Sequence, residues 1–318
     1  MRHYRVFRYI GHLALSFLPV LTFAFEVSAA ALTEKDHDLE RNGVKLFLHS
    51  YIDESKPPIG NILLVHGLTF SSHEFDIDFE DYSLTRWLAG QGYAVWILDI
   101  AGYARSGVLE NGFQPDSDYA AEDINAAVDY IIKASGQSKI DVLGWSWGTV
   151  TGGRFAAKYP EKIRSLVLYA PIVAGLDKVY VTDAFKTEPC KGADEDFQRN
   201  ESGVIDPAIT DDGVVKLFAA NCLKYDNHPV PNGGRRDLFV SPNNRLIPTA
   251  QIKVPTLLIV GSKDSYVSID LVKEAASTFP GGAELRVFKD AGHSLYVERP
   301  HYKEFRESVF EFITRQPN

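Results

Sequence analysis

One serine of the chain lies in a pentapeptide that is typical of a nucleophile. The segment GWSWG at 144–148 follows an apolar run at 140–143 and precedes a helical stretch. This order of strand, G-x-S-x-G and helix predicts a sharp turn that exposes the serine at the end of the strand. The glycines are needed because neighbouring backbone passes too close for Cβ atoms. We therefore predict that Ser146 is a nucleophile.

A serine hydroxyl attacks a carbonyl only when a base takes its proton and an acid orients that base. Two later strand ends supply such groups, since Asp264 follows the apolar run 256–260 and His293 follows 284–288. The order serine, aspartate, histidine is the one found in hydrolases with this type of turn. Asp177, just beyond another predicted strand, is the alternative acid. These residues predict attack on a carbonyl carbon.

Short apolar runs alternate with amphipathic stretches, and this alternation predicts the sheet that positions the three side chains. Apolar runs without regular polar positions are typical of strands that are buried on both faces, as in a parallel sheet. The predicted strands are 61–65, 93–98, 140–143, 164–169, 256–260 and 284–288. Helices are predicted at 119–133, 269–279 and 302–313, and extended pieces near 38–40 and 44–51 predict an antiparallel hairpin. The fold class is therefore α/β, with a mostly parallel central sheet flanked by helices.

The alternation of strands and helices stops between Pro171 and Pro255. This stretch of about 80 residues is too long for a plain loop in a compact domain, so we predict an inserted subdomain. The predicted layout is a core made of 31–171 and 253–318, interrupted by an insertion at 172–252.

The beginning of the chain has the pattern of a secretory signal peptide. Basic residues are followed by an apolar stretch at about 10–25 and then by small residues. We predict a signal peptide at 1–30, cleaved after Ala29 or Ala30, and a secreted or periplasmic protein with no stable membrane span after cleavage. The alternative is an uncleaved membrane anchor.

The two cysteines, Cys190 and Cys222, both fall in the predicted insertion, 32 positions apart. In an oxidising compartment they could form a disulfide, which the chain-entropy model values at about 3–4 kcal/mol. The alternative is two unpaired buried thiols. Neither cysteine has the spacing of a metal ligand or of a redox pair. We therefore expect no metal and no cofactor.

Composition and charge exclude several classes of protein. With 45% hydrophobic residues among 318, the chain is too apolar to be disordered and can bury a sizeable core. The formal net charge is −9, whereas a nucleic-acid partner requires a basic surface. We expect a small-molecule substrate and no nucleic acid.

The serine turn and the later aspartate and histidine resemble the serine hydrolases of the α/β-hydrolase fold, over roughly residues 40–315. This resemblance implies a capped, esterase- or lipase-like enzyme with 172–252 in the place of the family's cap. It assigns the nucleophile to Ser146, the acid to Asp264 and the base to His293.

The resemblance also implies an oxyanion hole made by the backbone N–H groups of Leu68 and Trp147. The expected reaction is hydrolysis of a small, partly apolar carboxylic ester through an acyl-enzyme and a Ser-His-Asp triad. Aromatic residues of the insertion would roof the pocket or, equally well, form the insertion's own core. They are Tyr180, Phe185, Phe197, Phe218, Tyr225 and Phe239.

Other functions stay open. The same triad could cleave amides or peptides or transfer acyl groups, and the chain could be a non-catalytic binding module on this fold. There is a weaker resemblance to proline iminopeptidases, but their early loop reads HGGPG and this chain has HGLTF at 66–70. Meta-cleavage-product hydrolases also carry a serine turn and remain possible. Haloalkane dehalogenases and soluble epoxide hydrolases have an aspartate in place of Ser146 and are excluded.

Overall fold

The computed structural model describes residues 32–177 and 180–317, so the predicted signal peptide at 1–30 lies outside the described residues. The strands are β1 (Leu32–Arg41), β2 (Val44–Asp53), β3 (Gly60–Val65), β4 (Tyr93–Asp99), β5 (Ile140–Trp145), β6 (Ile163–Tyr169), β7 (Phe185–Lys186), β8 (Val230–Pro231), β9 (Thr256–Gly261) and β10 (Ala283–Phe288).

An eight-stranded sheet in the order β1-β2-β4-β3-β5-β6-β9-β10 forms the centre of the described chain. The hairpin of β1 and β2 is antiparallel and joins β4 in antiparallel register, whereas all pairs from β4 to β10 are parallel. The inner strands β3, β4, β5 and β9 are buried along their whole length. The predicted α/β class with a mostly parallel sheet is confirmed.

Seven α-helices are present in the described part of the chain. They are α1 (Leu84–Gly90), α2 (Ser117–Ser135), α3 (Trp147–Lys158), α4 (Asp212–Asn221), α5 (Gly233–Leu238), α6 (Ile269–Ala276) and α7 (Tyr302–Thr314). The Asp116 carboxylate caps α2 by accepting the N–H groups of Asp118 and Tyr119. None of the helices in 32–177 and 180–317 has the length and apolarity that crossing a bilayer would require.

The chain between β6 and β9 contains the predicted cap segment, 172–252. It includes the two-stranded pair β7–β8, the helices α4 and α5, and one turn of π-helix at Cys222–Asp226. A disulfide joins Cys190 to Cys222, whose Cα atoms are 5.8 Å apart. The pairing predicted from the sequence is therefore present, and it links the turn at Cys190 to the end of α4.

The aromatic residues of this segment mostly pack on one another and on the core. The ring of Phe218 lies edge-on to both Phe70 and Phe197, with centroids 5.0 and 5.4 Å away. Tyr225 stacks on His73 at 3.5 Å, and Tyr180 is 82% exposed. Phe197 and Phe218 therefore follow the second alternative, a small core inside the segment, because burying their rings removes apolar surface from water. Tyr180 and Tyr225 do not line the pocket either, so the expected roof is wrong for these four residues.

Candidate active site

Ser146 occupies the turn between β5 and α3 with a strained backbone, φ 55° and ψ −116°. Such a conformation is costly for a residue with a side chain and persists only where the surroundings enforce it. A Cβ atom on Gly144 would overlap the Gly148 carbonyl, and one on Gly148 would overlap the Val65 carbonyl of β3. The two glycines therefore let β5, α3 and β3 approach closely enough to hold the serine in this turn.

His293 and Asp264 lie side by side at the ends of neighbouring strands. Asp264 comes just after β9, and His293 comes five residues after the end of β10. His293 Nδ1 is 2.8 Å from Asp264 Oδ2, and both side chains are almost completely buried. Asp264 Oδ1 accepts the N–H of Tyr266 at 2.9 Å, which fixes the orientation of the carboxylate. With Nδ1 directed at the carboxylate, Nε2 is left as the basic nitrogen.

Burial and charge act in opposite directions on the pKa of His293. Burial disfavours the imidazolium, but the Asp264 carboxylate, the hydrogen bond to it and the more distant charge of Asp196 outweigh burial and raise the pKa. The imidazole is therefore more basic than an ordinary histidine. A more basic imidazole accepts a proton from a hydroxyl more readily.

The loop that carries His293 is held by buried groups for which the sequence indicates no such contacts. The Glu298 carboxylate accepts the N–H of Gly292 at 3.0 Å. Both Trp145 Nε1, at 3.2 Å, and the Tyr169 hydroxyl donate to the carbonyl oxygen of His293. The contacts of Trp145 and Tyr169 join residues more than 100 positions apart, so only the folded chain reveals them. They fix the imidazole without taking part in proton transfer.

The predicted oxyanion residues lie beside the serine. Leu68 follows β3 and lines the same cavity as Ser146, and Trp147 is the first residue of α3, where N–H groups have no partner within the helix. The Trp147 side chain is buried, and its Nε1 donates to Ser117 Oγ at 2.9 Å. The Leu68 and Trp147 amides can therefore serve as donors to an oxygen bound next to Ser146.

Two further buried side chains shape the loop before Leu68. Ile100 N–H donates to His66 Nε2 at 3.1 Å, so His66 Nδ1 carries the proton and donates to the Gly67 carbonyl at 2.7 Å. Burial lowers the pKa of His66 to about 4, which keeps the ring neutral. The Glu74 carboxylate accepts the Gly67 N–H at 2.8 Å. No motif in the sequence indicates this role for Glu74.

Ser146 and His293 open into a cavity with two adjoining chambers. The inner chamber, which contains both residues, has a volume of about 220 Å³, and the outer chamber has about 500 Å³. The apolar part of the inner lining is Leu68, Phe70, Ile172, Leu176, Leu238 and Phe239. Its charged part is Lys186, Glu195, Asp196 and Arg235. Of the aromatic residues expected to roof the pocket, Phe239 lines the inner chamber and Phe185 the outer one.

The alternative acid and a metal site find no geometric support in the described residues. Asp177 is exposed on the chain after β6, whereas the hydrogen bond of His293 Nδ1 goes to Asp264. Residues 32–177 and 180–317 contain no cluster of three or more histidine, cysteine, aspartate or glutamate side chains that could hold a metal ion. The structure brings His293 and Asp264 into hydrogen-bond contact and places Ser146 and His293 on the lining of one cavity.

Comparison with known families and proteins gives matches over most of the chain. The family profile described as "Serine aminopeptidase, S33" matches residues 56–300. A Bacillus subtilis (strain 168) protein named "Uncharacterized carboxylesterase nap" is 26% identical over 270 residues, covering 83% of this chain and 81% of that protein. The 2-hydroxy-6-oxononadienedioate/2-hydroxy-6-oxononatrienedioate hydrolase of Escherichia coli (strain K12) is 28% identical over 243 residues, covering 72% of this chain and 79% of that protein.

Among solved structures, an esterase from Exiguobacterium antarcticum superimposes with a TM-score of 0.64 at 15% sequence identity. The match covers 88% of this chain and 100% of the esterase chain. At this level of identity the likeness concerns the fold, which is the one that the family resemblance implied.

Proposed function

The chain belongs to the α/β-hydrolase family described as serine aminopeptidase, S33, and on that premise we propose that this hydrolase cleaves carboxylic esters with Ser146, His293 and Asp264. One observation carries the proposal. Ser146, in a strained turn, lines the same small cavity as His293, whose Nδ1 is hydrogen-bonded to the buried Asp264 carboxylate. In this proposal 172–252 is the cap that covers the site.

The first half of the reaction forms an acyl-enzyme. His293 Nε2 removes the proton of the Ser146 hydroxyl as Oγ bonds to the ester carbonyl carbon. The N–H groups of Leu68 and Trp147 stabilise the negative charge on the carbonyl oxygen, each contributing about 3 kcal/mol. The tetrahedral intermediate then breaks its bond to the alcohol oxygen, which takes the proton from the imidazolium and leaves.

The second half of the reaction releases the acid. Water gives a proton to His293 Nε2 as its oxygen bonds to the acyl carbon, and the same two N–H groups stabilise the second oxyanion. The bond to Ser146 Oγ breaks, and the proton returns to the serine. Asp264 keeps the imidazole in the tautomer that both halves require and stabilises the imidazolium. In this mechanism every proton and electron pair is carried by the triad, the substrate or water.

A second candidate function is removal of an amino-terminal residue from a peptide. Carboxylates at Glu195 and Asp196 line the inner chamber, and such groups can pair with an ammonium ion. The HGLTF loop at 66–70, which differs from the loop of proline iminopeptidases, argues against this reaction. Ester hydrolysis is therefore the first proposal and aminopeptidase activity the second.

A panel of chromogenic substrates distinguishes ester hydrolysis from aminopeptidase activity. Purified enzyme is assayed with 4-nitrophenyl esters of short acids and with amino-acid 4-nitroanilides, next to Ser146→Ala. We expect turnover of the esters that is lost in the variant. Turnover of the nitroanilides without turnover of the esters would replace the first proposal by the second. Ester turnover that persists in Ser146→Ala would exclude the proposed nucleophile.

A further inference from the structure

Two cationic side chains line the catalytic cavity and have no part in the mechanism above. Lys186 and Arg235 both line the inner chamber that holds Ser146 and His293, and both also line the outer chamber. They therefore lie where the chambers meet, at the boundary between the outer chamber and the serine.

The guanidinium of Arg235 is held in place by neutral groups of the cap and of the core. It donates through Nη1 to Asn232 Oδ1 at 3.0 Å and through Nη2 to Thr69 Oγ1, in the residue after Leu68. Asn232 is itself anchored, because its N–H groups donate to the carbonyl oxygens of Gly112 and Asp183 at 3.0 Å. The arginine is thus positioned before a ligand arrives, which lowers the entropic cost of binding one.

Neither cation forms a salt bridge in the described residues, although the Glu195 and Asp196 carboxylates act on Lys186 from a greater distance. Within residues 32–177 and 180–317, no carboxylate forms an ion pair with Lys186 or Arg235 at 4.0 Å or less. A guanidinium has five N–H donors, and the contacts to Asn232 and Thr69 use two of them. The planar fork of an arginine matches the two oxygens of a carboxylate. A carboxylate that enters the cavity would therefore find a fixed cation with donors to spare.

Lys186 adds a second positive charge to the same place. It lies in β7, opposite Val230 of β8 and close to the start of α5, which carries Arg235. Burial and the nearby charge of Arg235 lower the pKa of Lys186, and they outweigh the opposite effect of the Glu195 and Asp196 carboxylates. A bound anion would relieve the repulsion between the two cations.

One carboxylate of the cavity, Asp196, lies towards the histidine. Asp196 acts on the pKa of His293 and on that of Tyr266, whose ring centroid is 4.8 Å from that of His293. Glu195 is exposed and lines both chambers. Asp196 therefore places negative charge near His293, Arg235 places positive charge beside the oxyanion loop through Thr69, and Glu195 lies with Lys186 and Arg235 where the chambers meet. In the proposed reaction the alcohol departs from the histidine side, so an anionic alcohol would be repelled and an anionic acyl group attracted.

We propose that Arg235 and Lys186 form a subsite for a carboxylate on the acyl part of the substrate, so that half-esters of dicarboxylic acids are the substrate class. This inference rests on the proposed ester hydrolysis at Ser146. It adds the chemical class of the acid, which the triad alone does not determine.

The test compares each half-ester with an amide of the same shape and no charge. Monoethyl succinate and monoethyl adipate are paired with ethyl succinamate and ethyl adipamate, and ethanol release is followed. We expect the wild-type enzyme to have a kcat/KM at least tenfold higher for the half-ester of one pair. Arg235→Gln should bring this ratio close to one, and Lys186→Gln should lower it. Each variant is judged by the ratio of kcat/KM for the half-ester to kcat/KM for the amide ester. A general loss of activity lowers both values and leaves this ratio unchanged.

Arg236→Gln is the matched control. Arg236 is the next residue of α5, but it is exposed, contacts Phe113 and lines neither chamber. Its variant should keep the wild-type ratio. The carboxylate subsite is refuted if the wild-type ratio is one or less in both pairs, or if the ratio is unchanged in Arg235→Gln. Either result would leave the proposed ester hydrolysis unaffected. If neither the half-esters nor the amide esters are hydrolysed, the proposed function fails, and this inference fails with it.

Discussion

The basicity of His293 is set by its immediate neighbours. Burial alone would make the imidazole a weaker base, and the carboxylates Asp264 and Asp196 reverse that effect. The base accepts a proton only when it is neutral, so activity of the free enzyme should rise as the pH passes through the pKa of His293. Because this pKa is raised, the acid limb of the kcat/KM profile is expected above the ordinary value of 6.5.

Replacing Asp196 by asparagine removes a negative charge that stabilises the imidazolium. The pKa of His293 should fall, so the acid limb of the kcat/KM profile should move to lower pH by about half a unit. The control is Asp194→Asn, since Asp194 is paired with Arg199 and lines neither chamber. An acid limb that stays in place, or that moves to higher pH, would show that Asp196 does not act on the base.

Residue types and spacing were enough to predict three polar side chains at strand ends, two of which line the cavity. Ser146, Asp264 and His293 each follow an apolar run, and the structure brings the last two within hydrogen-bond distance. Glu74 and Glu298 could not be predicted in the same way. Each accepts an N–H group of a loop backbone, and a buried carboxylate of this kind leaves no pattern in the sequence.

At the scale of elements, the decisive feature is the close approach of β5, α3 and β3. Gly148 lies against the Val65 carbonyl, and the turn between β5 and α3 has its strained conformation because the two elements meet there. Strands and helices with strong apolar patterns were predicted to within a few residues, as for β9 and α7. The seven-residue helix α1 was not predicted, because so short a helix has too few turns to establish a period.

Gly148→Ala tests this close approach. A methyl group at this position would overlap the Val65 carbonyl, so the variant should lose about 1–3 kcal/mol of stability and most of its activity. Gly152→Ala, one turn later in α3, is the matched control. Its methyl group would lie 3.8 Å from Val142, in ordinary contact, so it should leave stability unchanged or raise it by about 0.5–1 kcal/mol. Equal thermal unfolding temperatures for the two variants would refute the packing argument.

At the scale of the molecule, sequence reasoning recovered the sheet but not the architecture between β6 and β9. The sheet is specified by apolar runs that are buried on both faces. The segment between β6 and β9 has short elements, irregular stretches and aromatic residues that pack locally, such as Phe197 and Phe218. Its contribution of Arg235 and Lys186 to the cavity depends on long-range contacts that no local pattern encodes. The position of the disulfide could be predicted because only two cysteines were available.

The disulfide should be a measurable part of the stability of the whole molecule. Breaking the Cys190–Cys222 bond frees a long loop in the unfolded chain, which is expected to cost about 3–4 kcal/mol. Cys190→Ala and the double variant with Cys222→Ala should be destabilised alike in urea, because either breaks the same bond. A loss below about 0.5 kcal/mol would be at variance with this expectation. A stabilising disulfide is consistent with the proposal that 1–30 directs export to an oxidising compartment.

The central claim is that Ser146 is the nucleophile of a serine hydrolase, and covalent labelling tests it most directly. Folded enzyme is treated with a fluorophosphonate, and the adduct is located by mass spectrometry of peptides. We predict one adduct per chain, on the peptide that contains Ser146, absent in Ser146→Ala and retained in the control Ser202→Ala, which changes an exposed serine. A folded wild-type protein without an adduct, or an adduct that persists in Ser146→Ala, would contradict the account.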